Sequence, residues 1–387
     1  MIHMRNSFFP SKVLVTLTAT AIAFIEVAPA QVSGTLLHDG LTRSYELYVP
    51  STWSVGQSLP LVFVLHGTTQ DGAGIMDITD FNSIAEAEGF IAIYPDGIGG
   101  SWNTGIAGAS TADDLGLMDA LATEMTLQYG IDSTRVYSCG FSAGGYMSHR
   151  LACESPRCFA AIASVAGTMT VAASAACAPS HITPVMQVHG TADFVVAYNG
   201  GAIAGLGAEA VLAQWNGYNG CPASPVITAL PNIDPLDLST VEQQVWSPCD
   251  AGSSNVLLKV IGGGHQWPGT TALLGGIGVI NRDIDASAEI WDFFSDHACG
   301  TNSTAVSATP VRPTSVRYTS GEEALLVLEV PSSTTFQLLD LRGRVWLEGV
   351  LAQGDNRLSV RSLAAGIYLF RSGLPGTPAM RFVKTNN

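Results

Sequence analysis

The chain has 387 residues, 47% of them hydrophobic and 13% charged, with 32 Asp and Glu against 17 Lys and Arg and a formal net charge of −15. That length suits one large core plus a small extra module. The acidic balance and the lack of any Lys/Arg-rich run exclude nucleic acid and an anionic membrane surface as partners. The 41 glycines, with so little charge, suit a rigid, loop-rich extracellular protein rather than a disordered one.

The N-terminus reads as a signal peptide over residues 1–30. Arg5 and Lys12 are positive, "VLVTLTATAIAFI" is apolar, and "APA" supplies small residues before Gln31. Pro10, Glu26 and Pro29 disfavour the alternative of a buried first helix. The apolar run is too short for a comfortable membrane span and no later stretch is long enough, so the expectation is export without stable membrane insertion.

From residue 43 onward apolar runs alternate with helical patterns. "SYELYVP" (44–50), "PLVFVLHG" (60–67), "FIAIYPDG" (90–97), "TRVYSCG" (134–140), "FAAIASVAG" (159–167), "ITPVMQVHG" (182–190) and "NVLLKVIGGGH" (255–265) read as strands. "FNSIAEAEG" (81–89) reads as a short helix with a glycine stop. "TADDLGLMDALATEMTLQYG" (111–130) reads as a longer one, with Thr111 and Asp114 as a capping box. Further helices are expected after Ser142 to about Cys153, near 207–217 and near 283–297. The alternation predicts an α/β fold with a mostly parallel sheet flanked by helices, whose sites lie at the carboxyl ends of strands.

Seven cysteines in an exported chain predict three disulfides and one free thiol. Cys139, on the strand entering a serine turn, is the buried free one. Cys221 with Cys249, bracketing a Pro-rich insertion, is the best single pairing; Cys153, Cys158, Cys177 and Cys299 are left open. No Cys or His spacing suits a metal, and no cofactor is expected.

"CGFSAGG" (139–145) lies between a strand and a helix. A serine hydroxyl is a poor nucleophile unless a base takes its proton, and a strand–turn–helix elbow presents it above the sheet at the positive end of the helix. Gly140, Gly144 and Gly145 allow so tight a turn around Ser142. The motif predicts the order serine, acid, histidine. His265 lies downstream in a Gly-rich loop; His66 and His189 lie upstream of a suitable acid, and His38, His149, His181 and His297 lack such a placement. Asp193 follows the 182–190 strand, whereas Asp234, Asp237 and Asp250 fall in or just past the insertion. The competing reading of Asp193 is an Asx-turn. The oxyanion donors are expected to be the N–H of Ala143 and that of Thr68, with Thr69 the alternative, while His66 shapes that loop. Trp102 and Trp267 are candidates to line an aromatic-accepting cleft. Substrate choice is assigned to loops 97–110, 198–207 and 222–250.

After Cys299, "TNSTAVSATPVRPTS" (301–315) reads as a linker, and six short β-like runs over 316–387 read as a small C-terminal β-sandwich.

The pieces "LVFVLHGTTQDG", "AEGFIAIYPDG…SWN", "RVYSCGFSAGGYMSHRLAC", "FAAIASVAG", "HGTADFVVAYNG" and "GGGHQWPG" span about 35–298. In that order they resemble the extracellular esterases that group polyhydroxybutyrate depolymerase-like proteins with feruloyl and acetylxylan esterases of carbohydrate esterase family one. The resemblance implies an α/β-hydrolase fold over 31–300, no metal, and a triad at Ser142, Asp193 and His265. Two departures are Thr68, where many members carry cysteine, and Cys139, where a small or β-branched residue is common; neither removes a backbone donor. The tail motifs "DLRGR", "LAAGIYLF" and "RFVK" resemble a type IX secretion sorting domain. That implies export machinery as a partner and passage through the outer membrane. A carbohydrate-binding sandwich is the alternative.

These observations predict a secreted or cell-surface serine esterase acting on a polymeric ester, with feruloyl or acetyl groups of plant cell-wall polysaccharide favoured. A polyhydroxyalkanoate or other polyester is the alternative substrate, and a non-catalytic surface binding protein the alternative of another class.

Overall fold

A computed structural model describes residues 30–300, apart from 203–204 and 272–276, and much of 315–384, apart from 320–323, 331–332, 341–343, 365 and 374–379. The expected signal peptide, save Ala30, and the expected linker, save Ser315, lie outside the described residues.

In chain order the elements are β1 (Ala30–His38), β2 (Leu41–Val49), β3 (Leu61–Leu65), α1 (Gly72–Thr79), α2 (Phe81–Glu88), β4 (Ile91–Pro95), α3 (Asp114–Tyr129), β5 (Val136–Phe141), α4 (Ala143–Glu154), β6 (Ala161–Val165), α5 (Val171–Ala176), β7 (Val185–Gly190), the two-residue pair β8 (Gly200–Gly201) and β9 (Gly205–Leu206), α6 (Ala208–Tyr218), β10 (Val226–Ala229), β11 (Thr240–Trp246), β12 (Asn255–Ile261) and α7 (Ala286–Ser295). A ten-stranded sheet runs β1-β2-β4-β3-β5-β6-β7-β12-β11-β10. Its central strands, β4 through β12, are parallel. The β1–β2 pair and β10–β11 are antiparallel additions at the two edges.

Residues of β3 show why these runs form central strands. All five are fully buried, and they alternate between two cores. Leu61, Phe63 and Leu65 join the core packed by α3, α4 and α6, with Leu121, Met147 and Trp215. Val62 and Val64 join the opposite core, with Ile75 of α1, Phe81 of α2 and Phe294 of α7. Each such side chain contributes roughly 1.5–3 kcal/mol by leaving water. This layered, mostly parallel architecture is the expected α/β-hydrolase arrangement. Among the described residues no helix is long and apolar enough to cross a membrane.

Three local expectations need correction. The β1–β2 hairpin begins at Ala30, well before residue 43. The Cys221–Cys249 segment is not merely an insertion, because β10 and β11 extend the main sheet. The cap of α3 is Asp113, whose side chain accepts from Gly116 N, and not a Thr111/Asp114 box. Asp114 is instead buried against Arg43, with Nη2–Oδ1 at 2.7 Å, and its other oxygen accepts from Asn103 N. A carboxylate committed to a buried guanidinium is not free to reach back to a helix end.

The disulfides are Cys153–Cys177, Cys158–Cys299 and Cys221–Cys249, and Cys139 is a buried free thiol. Both stated cysteine expectations therefore hold.

Beyond residue 314 the described strands are β13 (Ser315–Thr319), β14 (Ala324–Val330), β15 (Thr334–Asp340), β16 (Val345–Leu351), β17 (Gly354–Ser359), β18 (Gly366–Ser372) and β19 (Met380–Lys384). They form two antiparallel sheets, β13-β14-β17 and β16-β15-β18-β19. Leu325 and Val327 from the first sheet meet Phe336, Leu338 and Phe370 from the second in a core of their own.

Candidate active site

Ser142 sits between β5 and α4 with φ 52° and ψ −116°, a strained conformation for a side-chain-bearing residue. The turn holds because its neighbours allow nothing bulkier. A Cβ on Gly140 would overlap Gly144, one on Gly144 would overlap the Leu65 carbonyl, and one on Gly145 would overlap Ser164 Oγ. The Ser142 N–H donates to Val165 O at 2.8 Å, which ties the elbow to β6. Ser142 is half-buried, and Ala143 opens the helix directly after it.

The next loop wall follows β3. His66 is fully buried; its Nε2 accepts from Gly97 N at 2.9 Å and its Nδ1 lies 2.7 Å from Gly67 O. A backbone N–H only donates, so the ring proton is on Nδ1 and bonds Gly67 O. Burial pushes the His66 imidazole pKa down, which keeps that neutral form. Gly67 N donates to Gln70 Oε1, Gln70 N to Gly67 O, and Thr69 N to Gly100 O at 2.8 Å. The Thr69 N–H is thus committed elsewhere. That of Thr68, an exposed residue, has no hydrogen-bond partner among the described residues. A Cβ on Gly67 would lie 3.4 Å from Ser142 Cβ, so this loop abuts the elbow.

Asp193 follows β7. Its Oδ1 accepts from the N–H groups of Val195 (2.9 Å) and Val196 (2.8 Å), and its Oδ2 lies 2.8 Å from His265 Nδ1. The Asx-turn and the imidazole contact therefore coexist, one on each oxygen. Burial alone would raise the Asp193 pKa; hydrogen bonds from His189 and His265 outweigh it and hold the carboxyl well below the usual range. An anionic Asp193 fixes the proton of neutral His265 on Nδ1 and leaves Nε2 as the free base. The His265 ring packs 4.8 Å from that of Phe141, the residue before Ser142. The loop that carries it is fixed by Gly264 N to Val279 O and by Ala192 N to Gly263 O.

Trp102 and Trp267 do not line a cleft. Trp102 is fully buried, donates Nε1–H to His66 O at 2.8 Å and packs on the His66 ring. Trp267 is 1% exposed, donates to Ser287 Oγ and packs edge-on to Phe81. Both indoles gain more from core contact and a satisfied N–H than an open wall would give them. The exposed aromatic beside the site is Phe194, 74% exposed and next to Asp193; its place after the acid was the available sequence signal. Also unassigned from sequence are His189, four residues before Asp193, and Gln187, which occupy the space behind the acid.

Residues 43–203, a span that holds Ser142 and Asp193, match the family described as "Esterase PHB depolymerase". The bifunctional acetylxylan esterase/xylanase XynS20E of Neocallimastix patriciarum is 30% identical over 257 residues, covering 66% of this chain and 33% of that protein. Feruloyl esterase B of Piromyces equi is 27% identical over 230 residues, covering 56% of this chain and 41% of that protein. The chain thus spans less than half the length of these two relatives. The putative esterase NocK of Nocardia uniformis subsp. tsuyamanensis is 30% identical over 261 residues, covering 60% of this chain and 72% of that protein. Similarity across most of that last relative means that the chain belongs to the same esterase family as that protein, with residues 43–203 carrying the esterase PHB depolymerase match.

Proposed function

We propose that the chain is a secreted serine carboxylic ester hydrolase that works through an acyl-enzyme. The observation that carries this reading is the 2.8 Å contact of Asp193 Oδ2 with His265 Nδ1, on a ring packed against the residue before a strained Ser142. His265 Nε2 takes the Ser142 proton as Oγ attacks the ester carbonyl, and Asp193 stabilises the imidazolium. The N–H groups of Ala143 and Thr68 receive the oxyanion. His265 then protonates the leaving alcohol and activates the water that releases the acid.

For substrate we favour feruloyl or acetyl esters of plant cell-wall polysaccharide, the chemistry that two relatives carry in their names. A polyester is the second reading; the family description and the exposed Phe194 and Val195 beside the acid favour it. A non-catalytic binding role has no use for a buried carboxylate paired with a histidine. Export is supported by three disulfides, which persist in oxidising compartments. Type IX sorting rests on the tail motifs and on the separate core of the tail.

A fluorophosphonate should label wild-type protein at Ser142 and leave Ser142→Ala unlabelled. Labelling of both at equal rates refutes the nucleophile. Methyl ferulate, acetylxylan and polyhydroxybutyrate assayed side by side then rank the substrates.

A further inference from the structure

Behind the Asp193–His265 pair lies a run of buried polar side chains for which ester hydrolysis as described has no use. Trp215 on α6 donates Nε1–H to His149 Nδ1, on α4, at 3.1 Å. His149 Nε2 lies 3.3 Å from Gln187 Oε1 on β7. Gln187 Nε2 donates to Gly167 O at 2.7 Å and meets His189 Nδ1 at 3.1 Å. His189 Nε2 lies 2.8 Å from Val196 O and 3.4 Å from Asp193 Oδ2. None of Trp215, His149, Gln187 and His189 is more than 1% exposed.

Each proton in this run has one place to be. An indole N–H only donates, so His149 Nδ1 accepts and its proton is on Nε2. That proton calls for the amide oxygen of Gln187, and Gly167 O independently calls for the amide nitrogen on the other side. The amide N–H then faces His189 Nδ1, which puts the His189 proton on Nε2, pointing at Val196 O and the Asp193 carboxylate. Burial lowers the His149 pKa to about 4, against a partial rise from Gln187, so the neutral ring this scheme requires persists at neutral pH.

We infer that His189 is a positioning residue for Asp193: Gln187 holds it in the Nε2–H tautomer, and it steadies Oδ2 against His265 Nδ1. The far end is anchored by His149 and Trp215. The inference rests on reading Asp193 and His265 as members of the triad. A core-filling role would instead lower stability alone and leave the Asp193–His265 hydrogen bond as it was.

Nitrogen-15 and proton NMR of the full-length, histidine-labelled wild type should show the His189 proton on Nε2 and a low-field proton for His265 Nδ1–H. A His189 proton on Nδ1 overturns the inference. His189→Phe and Gln187→Met should each lower kcat on p-nitrophenyl acetate by about 10- to 100-fold with KM little changed, the scale of one lost hydrogen bond to a charge. They should also shift the His265 low-field proton. His189→Gln, which puts an amide N–H near the lost Nε2, should recover much of both. A folded His189→Phe protein with wild-type kcat and an unmoved low-field proton overturns the inference. Failure of the fluorophosphonate to label wild-type Ser142 refutes the catalytic reading instead, and the tautomer and low-field proton still decide the positioning role.

Discussion

Gly144 stands directly against Leu65: a Cβ at position 144 would overlap the Leu65 carbonyl oxygen and crowd that of His66. The start of α4 is therefore pressed onto the end of β3, and this contact joins the serine elbow to the loop after β3. The obstacle is backbone, so no rotamer change relieves it. Gly144→Ala should cost at least about 2 kcal/mol of stability or displace the elbow. Urea unfolding and fluorophosphonate labelling read the two outcomes. A variant with wild-type stability and labelling rate would mean that the two segments are less tightly joined.

Asp193→Asn should keep the fold and lose roughly 10⁴-fold in kcat, because an amide beside Nδ1 no longer selects the productive tautomer. Two N–H groups, of Val195 and Val196, also point at this side chain, and an oxygen of the amide can still accept both. If Asp193→Asn is nearly silent while Asp250→Asn is inactive, the acid lies elsewhere.

Acid should weaken the fold through His149. Its folded pKa of about 4 lies below the unfolded value of about 6.5, so between them the unfolded chain binds more protons than the native one. The neutral ring's contribution is complete above about pH 6.5, shrinks as pH falls, and reaches a loss of roughly 3 kcal/mol below pH 4. Asp193 acts further down: its depressed carboxyl contributes fully above the unfolded carboxylate value, and that is lost only as pH falls toward its folded value. Unfolding free energies measured from pH 7 to pH 4.5 should fall more steeply in the wild type than in His149→Asn. Parallel slopes would remove His149 from the account.

Trp102 should matter for stability and for the loop after β3, proposed to hold an oxyanion donor, and not for ferulate recognition. It is buried under His66 and bonded to that carbonyl. Trp102→Ala should lose about 3–5 kcal/mol. Trp102→Phe should keep the ratio of kcat/KM for methyl ferulate over methyl acetate while lowering both. A variant that loses ferulate alone would return Trp102 to the substrate wall.

The sequence made legible what local patterning controls. The continuous apolar run of β3 and the elbow around Ser142 are short-range signals with a physical cause, whereas Asp193 and His265, 72 residues apart, were legible because the elbow motif itself sets the order serine, acid, histidine. What stayed hidden depends on pairing across distance. The outer strands β1, β10 and β11 have weak patterns and are strands because neighbours complete their ladders. Asp114 looks like a cap until Arg43, 71 residues away, is brought onto it. Trp102 and Trp267 carry no mark of which side of a loop they take. The partners of His149 are 38 and 66 positions distant in sequence, so no local spacing announces them.

The tail should be dispensable for catalysis and needed for delivery. The end of the catalytic segment is fixed without it: Cys299 bonds Cys158, Cys299 N donates to Thr134 O at 2.8 Å, and Tyr137 Oη donates to His297 O at 2.7 Å. Those ties clamp the segment after α7 to the start of β5, which leads into Ser142, and to the segment just before β6. The tail closes on itself in the same way, for Lys384 Nζ donates to the carbonyls of Val360, Arg361 and Leu363 at 3.0, 3.2 and 2.6 Å. A core of its own is what a sorting domain, as proposed, would need in order to be read as a separate unit. Removal of residues 316–387 should therefore leave specific activity on a soluble ester unchanged in a heterologous host. In a type IX-competent cell the same truncation should trap activity in the periplasm. A carbohydrate-binding tail predicts the opposite pattern, with normal export and weaker action on insoluble polymer alone. Esterase activity in culture medium and periplasm, compared for the full and shortened chains, decides between them, and secretion of the shortened chain would refute the sorting role.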